Sequence, residues 1–285
     1  MIAMTKNMEV AILGGKGMLG SDIGRALSAI SVPYRILDLP EFDIANTVRL
    51  APIIKNAAAV INCAAYTDVE KAQAQPDLAM EVNGHAVGRL AQLCKDSGIW
   101  LLHFGTDFVF DGTLDRPYTE SNVPNPLSVY GQSKLLGEEL LAQVGIEHSV
   151  IRIEWTYGQS GNNFVKKIIA ACQSKNEIKV VDDQIGSPTA TAEIAAMVAD
   201  MLDTKPQGLY LYASSGYASR WETAQFIAQK LRLGAKILPC SSSEFKTAVQ
   251  RPLNSRFDCS KIRSILKTEI KTWQQSLTNY LEQTQ

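Results

Sequence analysis

Tyr130 and Lys134 stand four residues apart in the segment SVYGQSKLLGEE, and on a helix that spacing places both side chains on one face. It is the chain's one Tyr-x-x-x-Lys pair. A free phenol has a pKa near 10, too high for ready proton exchange at neutral pH. An ammonium about 4 Å away contributes roughly 4 kcal/mol at an effective dielectric of 20, against about 1.4 kcal/mol per pH unit. That is enough to lower the phenol by up to about three pH units before burial opposes it. The pair reads as a proton donor and its tuner; without a site around it, it is a Tyr and a Lys on a solvated helix. Thr106, in the polar Thr106-Asp107 segment, can hydrogen-bond a reacting oxygen in the manner of an oxyanion donor.

A second group is built from glycine. Gly14, Gly17 and Gly20 are spaced G-x-x-G-x-x-G, directly after the apolar run EVAIL and at the start of a helical pattern. Such a loop allows a tight turn and close approach to a pyrophosphate, with a helix N-terminus supplying unpaired N–H groups and partial positive charge. The same pattern also serves a plain strand-to-helix turn. An acidic residue about 20 residues on is the usual next element, and Asp38 is placed to bond an adenosine ribose. Lys16 points the other way, toward the 2′-phosphate of NADP. The two preferences conflict, so NADPH and NADH both stay open.

These residues need elements to hold them. Glu9–Leu13 (EVAIL), YRILD ending at Asp38, Ala59–Ala65, Ile99–Phe104 and HSVIRIE ending near Glu154 read as strands. Between them, Met18–Ile30, Leu78–Asp96 and Val129–Gln143 read as helices, with Gly98 stopping the second. This alternation predicts an α/β fold, a doubly wound parallel sheet of Rossmann type. Residues 111–128, with Pro117, Pro124 and Pro126, read as a long ordered loop of functional kind. Later helices are expected near Phe164–Gln173, Thr191–Leu202 and Trp221–Leu233. The division expected is a dinucleotide-binding domain over 8–153, joined by some later segments, and a smaller α/β substrate lobe over 154–285.

Composition narrows the partners. With 28 basic and 29 acidic residues in 285, the chain lacks the broad basic footprint of a nucleic-acid binder. No apolar run approaches the roughly 18 residues of a membrane span. Five cysteines, odd in number, widely spaced and without a Cys-x-x-Cys pair, fit a reducing cytosol rather than a disulfide framework or zinc site. The expectation is therefore a cytoplasmic protein with no nucleic-acid or membrane partner. The N-terminus lacks a long apolar signal core, and Met1, Met4 and Met8 allow the first seven residues to be an unstructured start-site extension. Gly158-Gln-Ser160-Gly161 is not the G-x-S-x-G of a serine hydrolase. His85, His103 and His148 show no ligand spacing and read as packed or surface residues.

Taken together, the segments ILGGKGMLG, INCAAYTDVEKAQAQPDLAMEVN, GTDFVFDG, NPLSVYGQSKLLGEE, EWTYG, NNF, VVDDQIGSPT and RPLNSRFD make the chain resemble the extended short-chain dehydrogenase/reductases. Within them it is similar to the dTDP-4-dehydrorhamnose reductase family, over nearly the whole length from Met8. That resemblance implies reduction of the C4 carbonyl of dTDP-4-dehydro-L-rhamnose to dTDP-L-rhamnose, with Tyr130 as general acid. Lys134 would tune it and hold a ribose, and Thr106 would bond the substrate. Gly14 and Lys16 through Gly20, with Gly17, Met18 and Leu19 on the pyrophosphate, would hold NADPH or NADH. Asp43 and Ile44 would flank the adenine, Ala64, Ala65, Tyr66 and Thr67 would line the dinucleotide, and Phe104 would lie by the nicotinamide. Asp107 and Trp155 match sugar-binding positions. Arg251, Asn254 and Arg256 would lie near the dTDP diphosphate or, alternatively, pair between lobes. The resemblance also implies a homodimer; in some members Mg²⁺ bridges carboxylates, for which Asp22, Glu193 and Glu282 are the imaginable counterparts. The reading itself assigns no metal.

The sequence departs from the family pattern at three places. Gly105 stands where a serine is common, Phe108 where a tyrosine is, and Ile153-Glu154 where Thr-Ser usually precedes Trp155. Two other readings compete. A related nucleotide-sugar 4-ketoreductase, epimerase or dehydratase is one, although a dehydratase usually has Asp-Glu after the threonine and here Phe108 follows Asp107. A non-catalytic subunit, similar to the regulatory subunit of methionine adenosyltransferase, is the other.

Overall fold

The computed structural model describes residues 9–245 and 247–283. Met8, the expected start of the first domain, and the seven residues before it lie outside that range. Among the described residues no helix is long and apolar enough to cross a membrane.

The first half alternates as its apolar pattern requires. β1 (Glu9–Leu13) leads through the glycines to α1 (Met18–Ala29), then β2 (Tyr34–Leu37), α2 (Thr47–Ile54) and β3 (Ala57–Asn62). There follow α3 (Val69–Ala74), α4 (Pro76–Met80), α5 (Ala86–Ser97), β4 (Leu101–Thr106), α6 (Val129–Val144) and β5 (His148–Ile153). β1, β3 and β4 are almost wholly buried, as strands covered on both faces must be. The sheet has six parallel strands in the order Gly208–Tyr212, β5, β4, β3, β1, β2. Chain direction across the sheet reverses between β1 and β3, and ligands of doubly wound sheets bind at the carboxyl ends of the strands beside such a point.

Three apolar cores follow from this arrangement. One lies on the sheet face covered by α1 and the helix Thr191–Thr204, with Ile12, Ile23, Ile61, Ile194 and Val198 fully buried. The opposite face is closed by α2, α5 and α6 over Leu13, Val60 and Leu101. The third, around Tyr157, Val165, Ile227 and Leu277, joins the helices Phe164–Ser174, Arg220–Lys230 and Trp273–Glu282.

Several boundaries differ from the sequence expectation. The single helix expected over Leu78–Asp96 is α4 and α5 joined by a π-helical turn, Glu81–His85. That turn carries Asn83 inward, where it bonds both backbone groups of Tyr66 and the hydroxyl of Ser133; π turns commonly serve such placements. The third strand stops at Asn62 rather than Ala65, because the Asn62 side chain takes the Ala64 N–H that a ladder would have used. α2, α3 and the C-terminal helix Trp273–Glu282 were not expected; the last starts at a capping box on Thr272 and Gln275.

Candidate active site

The carboxyl ends of the strands open into one cleft of about 1120 Å³. This exceeds the roughly 300–1,000 Å³ of a single small-molecule site and suits a dinucleotide with a second ligand. Gly14, Lys16, Gly17, Met18, Leu19 and Gly20 line one wall. Asp38, Asp43 and Ile44 lie at that end, and Ala64, Ala65, Tyr66 and Thr67 lie along the facing loop. Phe104, Thr106, Asp107, Tyr130, Lys134 and Trp155 line the other end.

The first end is made of backbone. Gly14 turns the chain out of β1 at φ +71°, and a Cβ there would stand 2.6 Å from Ala64 N. α1 begins at Gly17 with no side-chain cap and no acidic residue in its first turn, so its N–H groups and positive end face the cleft. These features fit a dinucleotide pyrophosphate. Asp38 accepts from the backbone N–H of Lys16 at 2.7 Å and of Leu39 at 2.8 Å, tying the loop to the second strand. The Lys16 ammonium donates to the Leu39 carbonyl and to Glu41, both at 3.1 Å, on the surface.

The centre is made by α6. Ser128 caps it by accepting from Gly131 N–H at 3.1 Å. Gly131 lets it pack against the carbonyl of Phe108, and the Phe108 ring meets Tyr130 edge-on at 5.4 Å. Removal of its hydroxyl from water, with Asp107 nearby, pushes the Tyr130 phenol up to about 12, against a hydrogen bond with Thr106. The sequence expectation was the reverse, a phenol lowered by Lys134. Lys134 instead reaches toward His103, with Nζ 3.4 Å from Nε2, and burial rather than a neighbouring cation sets the phenol. Lys134 is itself brought down to about 8 by burial, opposed chiefly by the charge of Glu138. Below it, Glu138 and Arg152 form a buried bidentate pair at 2.6 to 3.2 Å. A Cβ on Gly105 would run into that pair, so the glycine at this position follows from what lies behind it.

The far end is made of charged side chains. Asp107 accepts from Ser255 Oγ at 2.5 Å and from Thr106 Oγ1 at 3.1 Å. Glu154, 1% exposed, accepts from Ser187 N–H at 2.9 Å through Oε2, while Oε1 is buried without a partner. Arg220 lays its guanidinium 3.5 Å from the Trp155 ring centre. Trp155 itself has φ +46°, a left-handed conformation that bulky residues hold only under constraint. Burial raises Asp107, and burial together with the Asp107 charge raises Glu154 well above the carboxylate range. Burial lowers Arg220 to about 10 against the pull of both carboxyls. Two carboxyls and one guanidinium balance when Glu154 keeps its proton.

Not every expected residue lies here. Asn254 donates to the carbonyls of Leu114 and Arg116 at 2.7 and 2.9 Å, and Arg256 to Asn254 and the Asp115 carbonyl. Arg251 pairs with Glu70 at 3.2 Å on the surface. None of the three lines the cleft; their segment secures the long loop and reaches the site through Ser255. Arg220, Ser255, Asn62 and His103 were missed, because nothing in their local sequence marks them. Asp22 is held by Arg25 and Thr191, and Glu193 pairs with Lys271 at 2.9 Å. Among the described residues no cluster of three or more His, Cys, Asp or Glu is placed to hold a metal.

Residues 8–285 match a family described as RmlD substrate binding domain. A dTDP-4-dehydrorhamnose reductase of Sinorhizobium fredii is 33% identical, over 94% of this chain and 95% of its own. The crystal structure of a dTDP-4-dehydrorhamnose reductase from Clostridium acetobutylicum superposes with a TM-score of 0.93 at 33% identity, covering 97% of this chain and 99% of that one. A third, the Bacillus anthracis dTDP-4-dehydrorhamnose reductase in complex with NADP, gives 0.93 at 31% identity with the same coverage.

Proposed function

The chain belongs to the RmlD substrate binding domain family, and from that premise we propose that it is an NAD(P)H-dependent oxidoreductase. It reduces the C4 carbonyl of dTDP-4-dehydro-L-rhamnose to dTDP-L-rhamnose, with Tyr130 as proton donor. The observation that carries this reading is the meeting of Thr106, Tyr130 and Lys134 where the backbone-lined half of the cleft joins the Asp107 and Trp155 end. Relatives named for this reaction span nearly the full chain.

The dinucleotide, when bound, supplies the hydride. The glycine loop and α1 N-terminus hold its pyrophosphate, and the Asp38 and Lys16 corner takes the adenosine. Tyr130 donates to the sugar carbonyl, and the Thr106 hydroxyl, on turning its hydrogen from Asp107, donates to the same oxygen, so that negative charge developing there meets two donors. The high phenol pKa keeps Tyr130 protonated across the physiological range, as a proton donor must be. Lys134, still largely cationic at pH 7, stabilises the phenolate that remains. Trp155 and Arg220 wall the sugar from water.

One observation favours a related sugar nucleotide as the substrate. Glu154 places a buried second carboxyl beside Asp107 where the family usually has serine. A hydroxyl differently configured on the ring is the natural partner for its unpaired oxygen. The test is absorbance at the reduced-nicotinamide band on mixing protein, NADPH and the dTDP-4-keto sugar. Cofactor oxidation with formation of the dTDP-6-deoxy sugar is expected. No oxidation with this sugar, but oxidation with its C3 or C5 epimer, would select the related ketoreductase.

A further inference from the structure

We propose that His103 is a positioning residue that prepares Lys134 to give up its proton, through a ring tautomer that Asn62 dictates. The inference rests on the reductase reading for its consequence, though its geometry stands without it.

Asn62 on β3 and His103 on β4 are direct partners in the parallel register. The Asn62 amide has only one orientation available, because its Oδ1 accepts the Ala64 N–H at 3.1 Å. Its Nδ2 therefore faces His103 Nδ1, 3.0 Å away, and donates to it. A ring nitrogen that accepts carries no hydrogen, so the neutral imidazole has its hydrogen on Nε2. That Nε2–H points at Lys134 Nζ, 3.4 Å distant. Against an ammonium the contact sets a donor against donors. Against a neutral amine it is a hydrogen bond. All three side chains are at most 3% exposed, so water does not relieve the conflict.

The ring is also held neutral. Burial, then the Lys134 charge and His148, bring His103 well below its ordinary range. The other groups facing Lys134 are Glu138, which is bound to Arg152, and the buried Cys63 thiol; Tyr130 lies one turn before it on α6. Cys63 is kept protonated by burial and cannot substitute for a counter-ion.

The consequence is a balanced proton transfer. The Tyr130 proton passes to the alkoxide oxygen formed at C4. A proton leaves Lys134 Nζ for the phenolate oxygen. Lys134 remains as a neutral amine and accepts the Nε2–H of His103. The ring loses no proton; it stabilises Lys134 after the transfer and disfavours the ammonium before it.

Two measurements test this. Two-bond ¹H–¹⁵N NMR of histidine-labelled protein, assigned with His103→Phe, reports the tautomer without any turnover. A neutral Nε2–H ring from pH 6 to 9 is expected; an Nδ1–H ring or an imidazolium overturns the proposal. The pH profile of kcat is the second. In Asn62→Asp the new carboxylate keeps the Ala64 bond but accepts from Nδ1, turning a lone pair toward Lys134. The basic limb should then move up by about one pH unit, tenfold in the proton equilibrium. His103→Phe, which removes the opposing N–H without adding charge, should move it the same way by less. An unmoved limb in both variants overturns the proposal. If Asn62→Asp does not fold, His103→Phe and the wild-type tautomer decide alone. If the wild type oxidises no NADPH, the reductase reading fails while the tautomer measurement still judges the geometry.

Discussion

The two ends of the cleft offer ligands different kinds of group. At the glycine-loop end the groups on offer are backbone N–H donors, a helix N-terminus and a bare turn. Its one placed cation, Lys16, is exposed and already shared with Glu41. At the Trp155 end Asp107, Glu154 and Arg220 are withdrawn from water together, beside a tryptophan held at positive φ. A backbone site asks little of its side chains, since almost any sequence of the right shape supplies it. A site of buried charges is expensive to misfill, because a ligand lacking the right partner leaves a charge unpaired. On the proposed function, common chemistry and particular specificity are thus separated along one cleft.

Lys134 lies between the two ends and tests the divide most strongly. Its pKa falls from the ordinary 10.5 to about 8 in the folded chain. Burial therefore disfavours the ammonium, a penalty complete below pH 8 that fades as pH rises to 10.5. Lys134→Met should stabilise the protein at pH 7 by up to about 3 kcal/mol, from some 1.4 kcal/mol per pH unit, while abolishing most turnover. Denaturant unfolding at pH 7 and pH 10.5 checks it; the gain should vanish at the higher pH.

Gly14→Ala probes the backbone end. The added methyl meets Ala64 and must hold φ +71°. A hundredfold loss of NADPH affinity, about 2.7 kcal/mol, is expected by titration, with little change in the KM for sugar among molecules that bind cofactor. Arg220→Met probes the other end. Removing the cation leaves Asp107 and Glu154 facing each other, so sugar KM should rise about thirtyfold, roughly 2 kcal/mol, with NADPH affinity unchanged. If both ligands weaken together, the separation of the two ends is wrong. Lys16→Ala should do least. An exposed pair is worth under about 1 kcal/mol, so the NADPH-to-NADH ratio of kcat/KM should shift less than fivefold.

The same contrast explains what was legible in the sequence. Gly14, Gly17 and Gly20 are contiguous with β1, and Tyr130 and Lys134 share a helix, so local spacing reveals both. The parallel fold was legible for the same reason, from short apolar runs alternating with helical ones. Arg220 was not, since its meaning arises only when the first turn of its helix meets Trp155 and the Asp107 turn. Asn254 and Arg256 look like phosphate ligands by residue type, yet the loop carbonyls of Leu114, Asp115 and Arg116 occupy them. His103 looked like packing until β3 and β4 registered it against Asn62. The direction of the Tyr130 shift failed because spacing gives distance along a helix but not the depth at which the phenol lies.

The most direct test of the account pairs two readings on Tyr130→Phe. Cofactor binding is followed by NADPH fluorescence and turnover by NADPH oxidation with the dTDP-4-keto sugar, beside the wild type. The account predicts an NADPH Kd within about twofold of wild type and kcat lower by roughly a thousandfold, within the span general acid catalysis supplies. Turnover near the wild-type rate in Tyr130→Phe, with the same product, would contradict it.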